Sequence, residues 1–339
     1  MKVRVVPLQP HCFAFGGFEI QMISALEAAR DAGIDARYLD PWSRDADFDI
    51  LHVWGLDLAQ TQAIAWARKS YKRIVMTALL PYITTQHRIY YAASSLCGVV
   101  KLKRKLLDLV DILVVVNEMQ ARAAKILLGF DESKIRVIPN IVESQFFSGN
   151  FIGDQSYIGL RNYVLCTGNV CKRKNQLKLA KAAINGGYPL IIIGDVLQGE
   201  ERYGEELGSV IKNHENIRWI RGVAPGSSIL VAAYSNCIAF ALPSLMEQQP
   251  ISVLEAAAAG KPLLLGDKAY ARQKYFHNAC LVDPMSEASI QDGLDRIMQN
   301  IAGYSPEKDL LSECTRERVG LAYRNVYELA RKSTSADAL

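Results

Sequence analysis

Short apolar runs alternate with longer amphipathic segments along most of the chain. Runs rich in Val and Ile, each closed by a polar break, predict strands at 2–8, 35–39, 49–53, 73–77 and 111–116. The segments between them have helical period. In 18–32, for example, Ile20, Ile23, Leu26 and Ala29 recur every three to four residues, and Gly33 stands where a helix stops. The pattern fades near Pro139 and resumes near Tyr163. The stretch from Ser148 to Ser156 carries turn residues with no period, which places a domain boundary there. Beyond it, strands are predicted at 163–167, 189–193, 217–219, 237–241 and 262–265, with helices between, and a last helical pattern runs from about 306 to 331. The tail 332–339 is small and polar and is expected to fray. Strand–helix alternation implies parallel sheets covered on both faces. The expected architecture is α/β, with two doubly wound, Rossmann-like domains (residues 1–150 and 151–315) facing across a cleft. Residues 316–339 supply a C-terminal helix packing back toward the first domain. Open α/β sheets bind ligands beyond the carboxyl ends of their strands, so each domain is expected to offer one side of that cleft.

Composition narrows the classes. Half of the 339 residues are hydrophobic and 22% are charged, enough apolar material for two cores. A formal charge of +4 is nearly balanced, which argues against a nucleic-acid partner. The seven cysteines (Cys12, Cys97, Cys166, Cys171, Cys237, Cys280 and Cys314) are scattered and form no CxxC pair, so neither a disulfide framework nor a structural zinc site is expected. No leader-like N-terminus and no run of 18 uncharged apolar residues is seen, so the expectation is a cytoplasmic protein.

Three segments could carry chemistry. Phe15-Gly-Gly-Phe18 follows the first strand and opens the first helix, where glycines let backbone approach a ligand and free N–H groups favour an anion. It is not GxGxxG, so the dinucleotide fingerprint is absent. A tight strand-to-helix turn with no ligand explains this pair equally well. Thr167-Gly-Asn-Val-Cys-Lys-Arg-Lys-Asn-Gln176 holds the corresponding place in the second domain. Its cations, Lys172, Arg173 and Lys174, are unfavourable at a helix N-terminus unless a phosphate-bearing ligand sits there, or unless the loop is merely solvated. The third segment runs from Leu242 to Pro262. Pro250 opens a helix and Gly260 ends it. Glu255 lies in that helix among Ile251, Val253, Leu254 and alanines, where an unpaired carboxylate is costly. Glu247 sits eight residues earlier on the entering loop, and two carboxylates at one helix start suit the hydroxyls of a polyhydroxylated ligand.

With these motifs the chain resembles the family-4-type retaining glycosyltransferases of GT-B fold, which use nucleotide-sugar donors. Pro243-Ser-x-x-Glu247-x7-Glu255-Ala…Gly260-Lys-Pro262 is the most specific signature. Val110–Asn117, Lys134–Asn140, Val164–Lys174, Leu190–Asp195, Asn216–Val223, Asp49–Val53 and Gly16-Gly17 are similar at further strand ends. The resemblance implies that Glu255 binds the donor ribose, Glu247 the donor sugar and Lys174 the diphosphate, with Glu247 and Lys174 the catalytic pair. It also implies that Gly16, Gly17 and Asn169 border the donor and that the main chain of Val223 meets the base. No metal and no cofactor are implied. The partners would be a UDP- or GDP-sugar and a glycan or lipid-linked acceptor, in a setting such as bacterial surface polysaccharide or lipopolysaccharide assembly.

The chain departs from the pattern in four places. Gly168-Asn169 stands where Gly-Arg is usual, leaving Lys172 or Arg173 to replace the missing cation. Leu79 replaces a frequent histidine, Ile141 follows Asn140 where glycine is common, and the usual Gly-Gly-x-x-Glu loop is not recognisable in 266–274. His11 and His52 are the candidates for the acceptor side, His52 equally as a hydrogen-bonded core histidine, while His87, His214 and His277 read as surface or loop residues. The basic cluster Lys101, Lys103, Arg104 and Lys105, with Arg68, Lys69, Lys72 and Arg73, suits peripheral contact with an anionic membrane at its inner face, or an ordinary solvated helix face. Two other classes fit the same residues. One is a hydrolase using Glu247 and Glu255 as an acid–nucleophile pair, and the other is a non-catalytic nucleotide-sugar-binding subunit.

Overall fold

A computed structural model describes residues 1–13, 15–94, 98–148 and 159–332. Cys97, the boundary residues 149–156 and the tail 333–339 lie outside the described residues. The chain divides into two compact units, Met1–Ile141 with Glu313–Leu339, and Val142–Ser312.

The first unit runs β1 (Lys2–Val6), α1 (Gly17–Asp31), β2 (Asp35–Tyr38), β3 (Ile50–Trp54), α2 (Thr61–Lys69), β4 (Arg73–Thr77), α3 (Thr85–Ala93), α4 (Gly98–Leu107), β5 (Ile112–Val115), α5 (Glu118–Ala123) and β6 (Ile135–Val137). The strands form one parallel sheet in the order β2-β1-β3-β4-β5-β6. Period-two alternation sorts its side chains between two cores. Ile50 and Trp54 of β3 pack under α1 with Val3, Val5 and Met22, whereas Leu51 and Val53 face Ile64, Leu106 and Leu107 on the other side.

The second unit runs β7 (Val164–Thr167), α6 (Gln176–Gly186), β8 (Leu190–Ile193), α7 (Glu201–Ile211), β9 (Ile217–Ile220), α8 (Ser228–Asn236), β10 (Ala239–Leu242), α9 (Ile251–Ala258), β11 (Leu263–Gly266), β12 (Cys280–Val282) and α10 (Glu287–Gln299). Its sheet is parallel in the order β12-β11-β10-β7-β8-β9. Strands β7, β8, β10 and β11 are buried at every position, as strands covered on both faces must be.

The last helix, α11 (Arg316–Lys332), belongs to the first unit and packs along α1. A Cβ on Gly320 would come within 2.3 Å of the Ala28 carbonyl oxygen, so the two backbones approach as only glycine permits. Both units are doubly wound and Rossmann-like, as the alternation predicts. The edge strands β6 and β12, three residues each, are additions to the prediction. The last helical pattern proves to be a 3-10 stretch, Lys308–Cys314, followed by α11.

Candidate functional site

In the second sheet β7 lies between β8 and β10, and the chain winds outward from it in both directions. The crevice beyond the carboxyl ends of β7 and β10 is therefore the topological switch point, where doubly wound sheets hold their ligands. Two loops meet there, Gly168–Asn175 after Thr167 and Pro243–Pro250 after Leu242. The Leu245 N–H and the Ser244 hydroxyl both donate to the Arg173 carbonyl, at 2.8 and 2.9 Å. Asn175 caps α6 in the left-handed region (φ 65°), and its side-chain amide donates to the carbonyls of Pro243 and Pro284. Behind the second loop, Gly266 is obligatory, because a Cβ there would lie 2.5 Å from the Ser244 oxygen.

These ties bring three charged side chains together. Glu247 Oε1 lies 2.7 Å from Arg173 Nη1, 3.0 Å from Lys174 Nζ and 3.2 Å from Ser244 Oγ, a second acceptor within reach of that hydroxyl. Burial pushes the Glu247 carboxyl up, but Lys174 and Arg173 outweigh it and hold the group below the usual carboxylate range. All three partners converge on one oxygen. The ionised carboxylate is an acceptor that a ligand hydroxyl can use. Lys174 is itself buried and lies over Gly168, whose φ of 119° suits glycine. Lys172 is exposed, and no ion pair involves it among the described residues. Asn169 gives its backbone carbonyl to the Gln176 side chain at 3.0 Å.

Glu255 stands differently. It is partly buried on α9, where desolvation pushes its carboxyl up to about 7, with the nearby Tyr234 hydroxyl opposing the shift and the negative charge of Glu143 adding to it. Glu247 is thus the ionised carboxylate of the pair, and Glu255 titrates near neutrality. Farther along the sheet, Gly222 N–H donates to Asp195 at 3.0 Å, and Arg221 stacks on Trp219, so the turn before Val223 is fixed from both sides. Val223 itself is partly exposed.

In the first unit Gly16 is the N-cap of α1 in extended conformation, and its N–H donates to Glu19 at 2.8 Å. Nothing lies within 4 Å of a Cβ built on Gly17. His11 packs edge-on against Phe15, and its Nε2 is buried without a partner among the described residues. His52 does not fit the acceptor role. It shares the face of Ile50 and Trp54, is fully buried, and spends both ring nitrogens on Tyr327 (2.8 Å) and Thr77 (2.9 Å). Burial lowers its pKa to about 3, so it is a neutral core histidine. Helix α11, some 270 residues away in the chain, supplies the partner that decides this.

Sequence reasoning missed Tyr234, Tyr270 and Gln273. The Tyr270 hydroxyl donates to Leu242 O and accepts from Gly266 N–H, and Gln273 ties its turn to Gln248 and Gln249 on the Glu247 loop. All three stand in segments without a recognisable motif. Among the described residues no cluster of three His, Cys, Asp or Glu side chains could hold a metal, and no helix is long and apolar enough to cross a membrane.

The chain matches the family model described as glycosyl transferases group 1 over residues 156–310, and that described as glycosyltransferase family 4 over residues 19–146. No curated protein matches it by sequence. Among solved structures it is similar to a glycosyltransferase from Rickettsia africae (TM-score 0.72, 13% identity, 98% of each chain covered). It is similar also to HepE from Anabaena in complex with UDP-glucose (TM-score 0.70, 16% identity, 97% of this chain and 98% of that one). Sucrose-phosphate synthase from Thermosynechococcus elongatus gives a TM-score of 0.70 at 14% identity, with 97% of this chain and 98% of that one covered. At such identities the likeness is one of fold.

Proposed function

The chain belongs to the family-4-type glycosyltransferases of GT-B fold, and from that premise we propose that it is a retaining, metal-independent transferase whose second unit binds a nucleotide-sugar donor. The observation that carries the reading is the convergence of Arg173, Lys174 and Glu247 at the switch point of the second sheet. Glu247 accepts hydroxyls of the donor sugar with its carboxylate. Lys174 and Arg173 lie against the diphosphate and stabilise it as it departs, supplying the positive charge a metal would otherwise bring. Arg173 rather than Lys172 is the replacement for the cation missing at Asn169, because its guanidinium is already turned onto Glu247. Glu255 binds the ribose hydroxyls, and the main chain at Val223 meets the base.

The donor C1–O bond to the diphosphate breaks through an oxocarbenium-like sugar, and the acceptor oxygen bonds to C1 on the same face. The acceptor proton passes to the departing phosphate oxygen, so no protein base is used. Glu247, held by two cations and a serine, is an ionised hydrogen-bond acceptor and not a nucleophile. HepE's complex with UDP-glucose makes a uridine diphosphate sugar the first donor to test. The acceptor is a glycan or lipid-linked saccharide of bacterial surface polysaccharide assembly, held by the first unit with His11 in contact.

That unit also suits an anionic membrane at the inner face. Helix α3 buries none of its nine residues and exposes Ile89 and Tyr90. On α4, Val99 and Leu102 are exposed one turn apart, beside Lys101 and Lys105. Sedimentation with anionic vesicles at low salt tests this, and no binding there refutes it. The test of the function is nucleotide release from UDP-glucose, GDP-mannose and ADP-glucose with saccharide acceptors, the product anomer being read by NMR. Retention of configuration is expected. Inversion refutes the retaining mechanism, and binding of a donor without any release refutes the enzyme.

A further inference from the structure

Asn175 follows Lys174 and opens α6, yet helix formation does not call for its side chain. An asparagine at a helix start ordinarily accepts from the first turn with its side-chain oxygen. Here it makes no such hydrogen bond. Its φ of 65° is a conformation that glycine adopts without strain, and another residue held there is a mark of local constraint. The amide is what glycine could not supply. It is buried, and its NH2 group donates to the Pro243 carbonyl at 3.1 Å and to the Pro284 carbonyl at 2.7 Å. Those prolines stand just beyond β10 and β12, so one side chain after β7 laces three strand ends together. Lys174 is pinned between two fastenings to the loop that carries Glu247. On one side the Arg173 carbonyl accepts from the Leu245 N–H and the Ser244 hydroxyl, and on the other Asn175 holds Pro243. The first fastening uses a main-chain carbonyl, which any residue brings. The second depends on the asparagine side chain alone.

We infer that Asn175 is a positioning residue, its amide fixing where Lys174 presents its ammonium group to the donor diphosphate. This rests on the reading of Lys174 as the diphosphate cation. A lysine is a point charge on a flexible stem, so what it contributes depends on where its backbone and surroundings place it. Without the amide, the 168–175 loop keeps its left-handed turn but loses its ties to Pro243 and Pro284. The ammonium group of Lys174 and the carboxylate of Glu247, 3.0 Å apart, then no longer share one register. Among the described residues the amide gives no hydrogen bond to Glu255 or Val223, which hold the nucleoside in the same reading, so its loss falls on the diphosphate.

The experiment is calorimetric titration of UDP and of uridine on wild type, Asn175→Gly, Lys174→Ala and the double variant. GDP with guanosine, or ADP with adenosine, takes their place if wild type prefers one of those diphosphates. Asn175→Gly keeps the left-handed turn and removes only the amide. It is expected to bind UDP about tenfold more weakly than wild type does, and uridine within about twofold of wild type. The uridine affinity also reports that the second unit is still folded. In the Lys174→Ala background the same replacement is expected to change UDP affinity by less than about twofold, because the group it positions is gone. A UDP affinity equal to wild type in Asn175→Gly overturns the inference. So does an equal loss for UDP and uridine, which a merely structural asparagine would give, and so does a loss of the same size that persists without Lys174. If none of UDP, GDP and ADP binds wild type, the donor-site reading itself fails, and the inference with it.

Discussion

Replacing Glu255 by glutamine should stabilise the free protein at alkaline pH while weakening donor binding. The folded carboxyl titrates at about 7 against an ordinary 4.5, chiefly because burial penalises its charge. Each pH unit of that gap is worth roughly 1.4 kcal/mol, so the ionised side chain costs the fold about 3 kcal/mol. The residue keeps some solvent contact, which reduces the figure to roughly 1–3 kcal/mol. The sign follows from the raised value. The favourable term is full below about pH 4.5, declines as the pH climbs toward 7, and is gone above it, because the unfolded chain releases its proton first. Glutamine keeps the neutral shape and has nothing to release. At about 2–4 °C per kcal/mol for a unit of this size, Glu255→Gln should melt several degrees above wild type at pH 8 and close to it at pH 4.5. Scanning calorimetry of the transition belonging to the second unit reads this directly. A variant that melts below wild type at pH 8, or an offset that does not change with pH, refutes the reasoning. Adding the donor should reverse the order at pH 8, since ligand binding stabilises only the form that binds it.

Three further outcomes are expected. Arg173→Ala should lower donor affinity or turnover at least tenfold while Lys172→Ala stays near wild type, in a nucleotide-release assay. Equal effects would undo the assignment of Arg173 as the second cation. His52→Ala should cost about 2–4 kcal/mol in denaturant unfolding, by opening a cavity and stranding the Tyr327 and Thr77 hydroxyls, and should leave any donor affinity of the second unit unchanged. Gly266→Ala should impair turnover more than the fold, since its Cβ would press on the Ser244 carbonyl and displace the loop that carries Glu247. Turnover equal to wild type would show that the loop position is not critical.

Much of the architecture was legible in the chain. Val and Ile runs marked β1, β3, β4 and β8, because strands buried on both faces need apolar residues throughout. The Glu247–Glu255 spacing pointed to the candidate site, because a loop carboxylate and a helix carboxylate eight residues apart lie about one helix start. What stayed hidden depends on contacts far apart in sequence. His52 reads as a strand-end histidine until Tyr327 closes over it. Tyr234 looks like one more tyrosine in an apolar helix until β7 and α9 bring Thr167 and the Ser252 carbonyl to its hydroxyl. The choice between Arg173 and Lys172 likewise depends on which side chain the 243–250 loop reaches. Neighbours along the chain carry no sign of that.

The central claim is that the second unit holds a nucleotide-sugar through Lys174, Glu247 and Glu255. The most direct test is calorimetry of UDP, GDP, ADP and their sugar conjugates with wild type, Lys174→Ala and Glu255→Ala. One nucleotide should bind wild type clearly better than the others. Lys174→Ala should reduce its affinity toward that of the nucleoside alone, and Glu255→Ala should lose the ribose contribution. A wild type that binds none of them, or variants that bind as wild type does, would contradict the account.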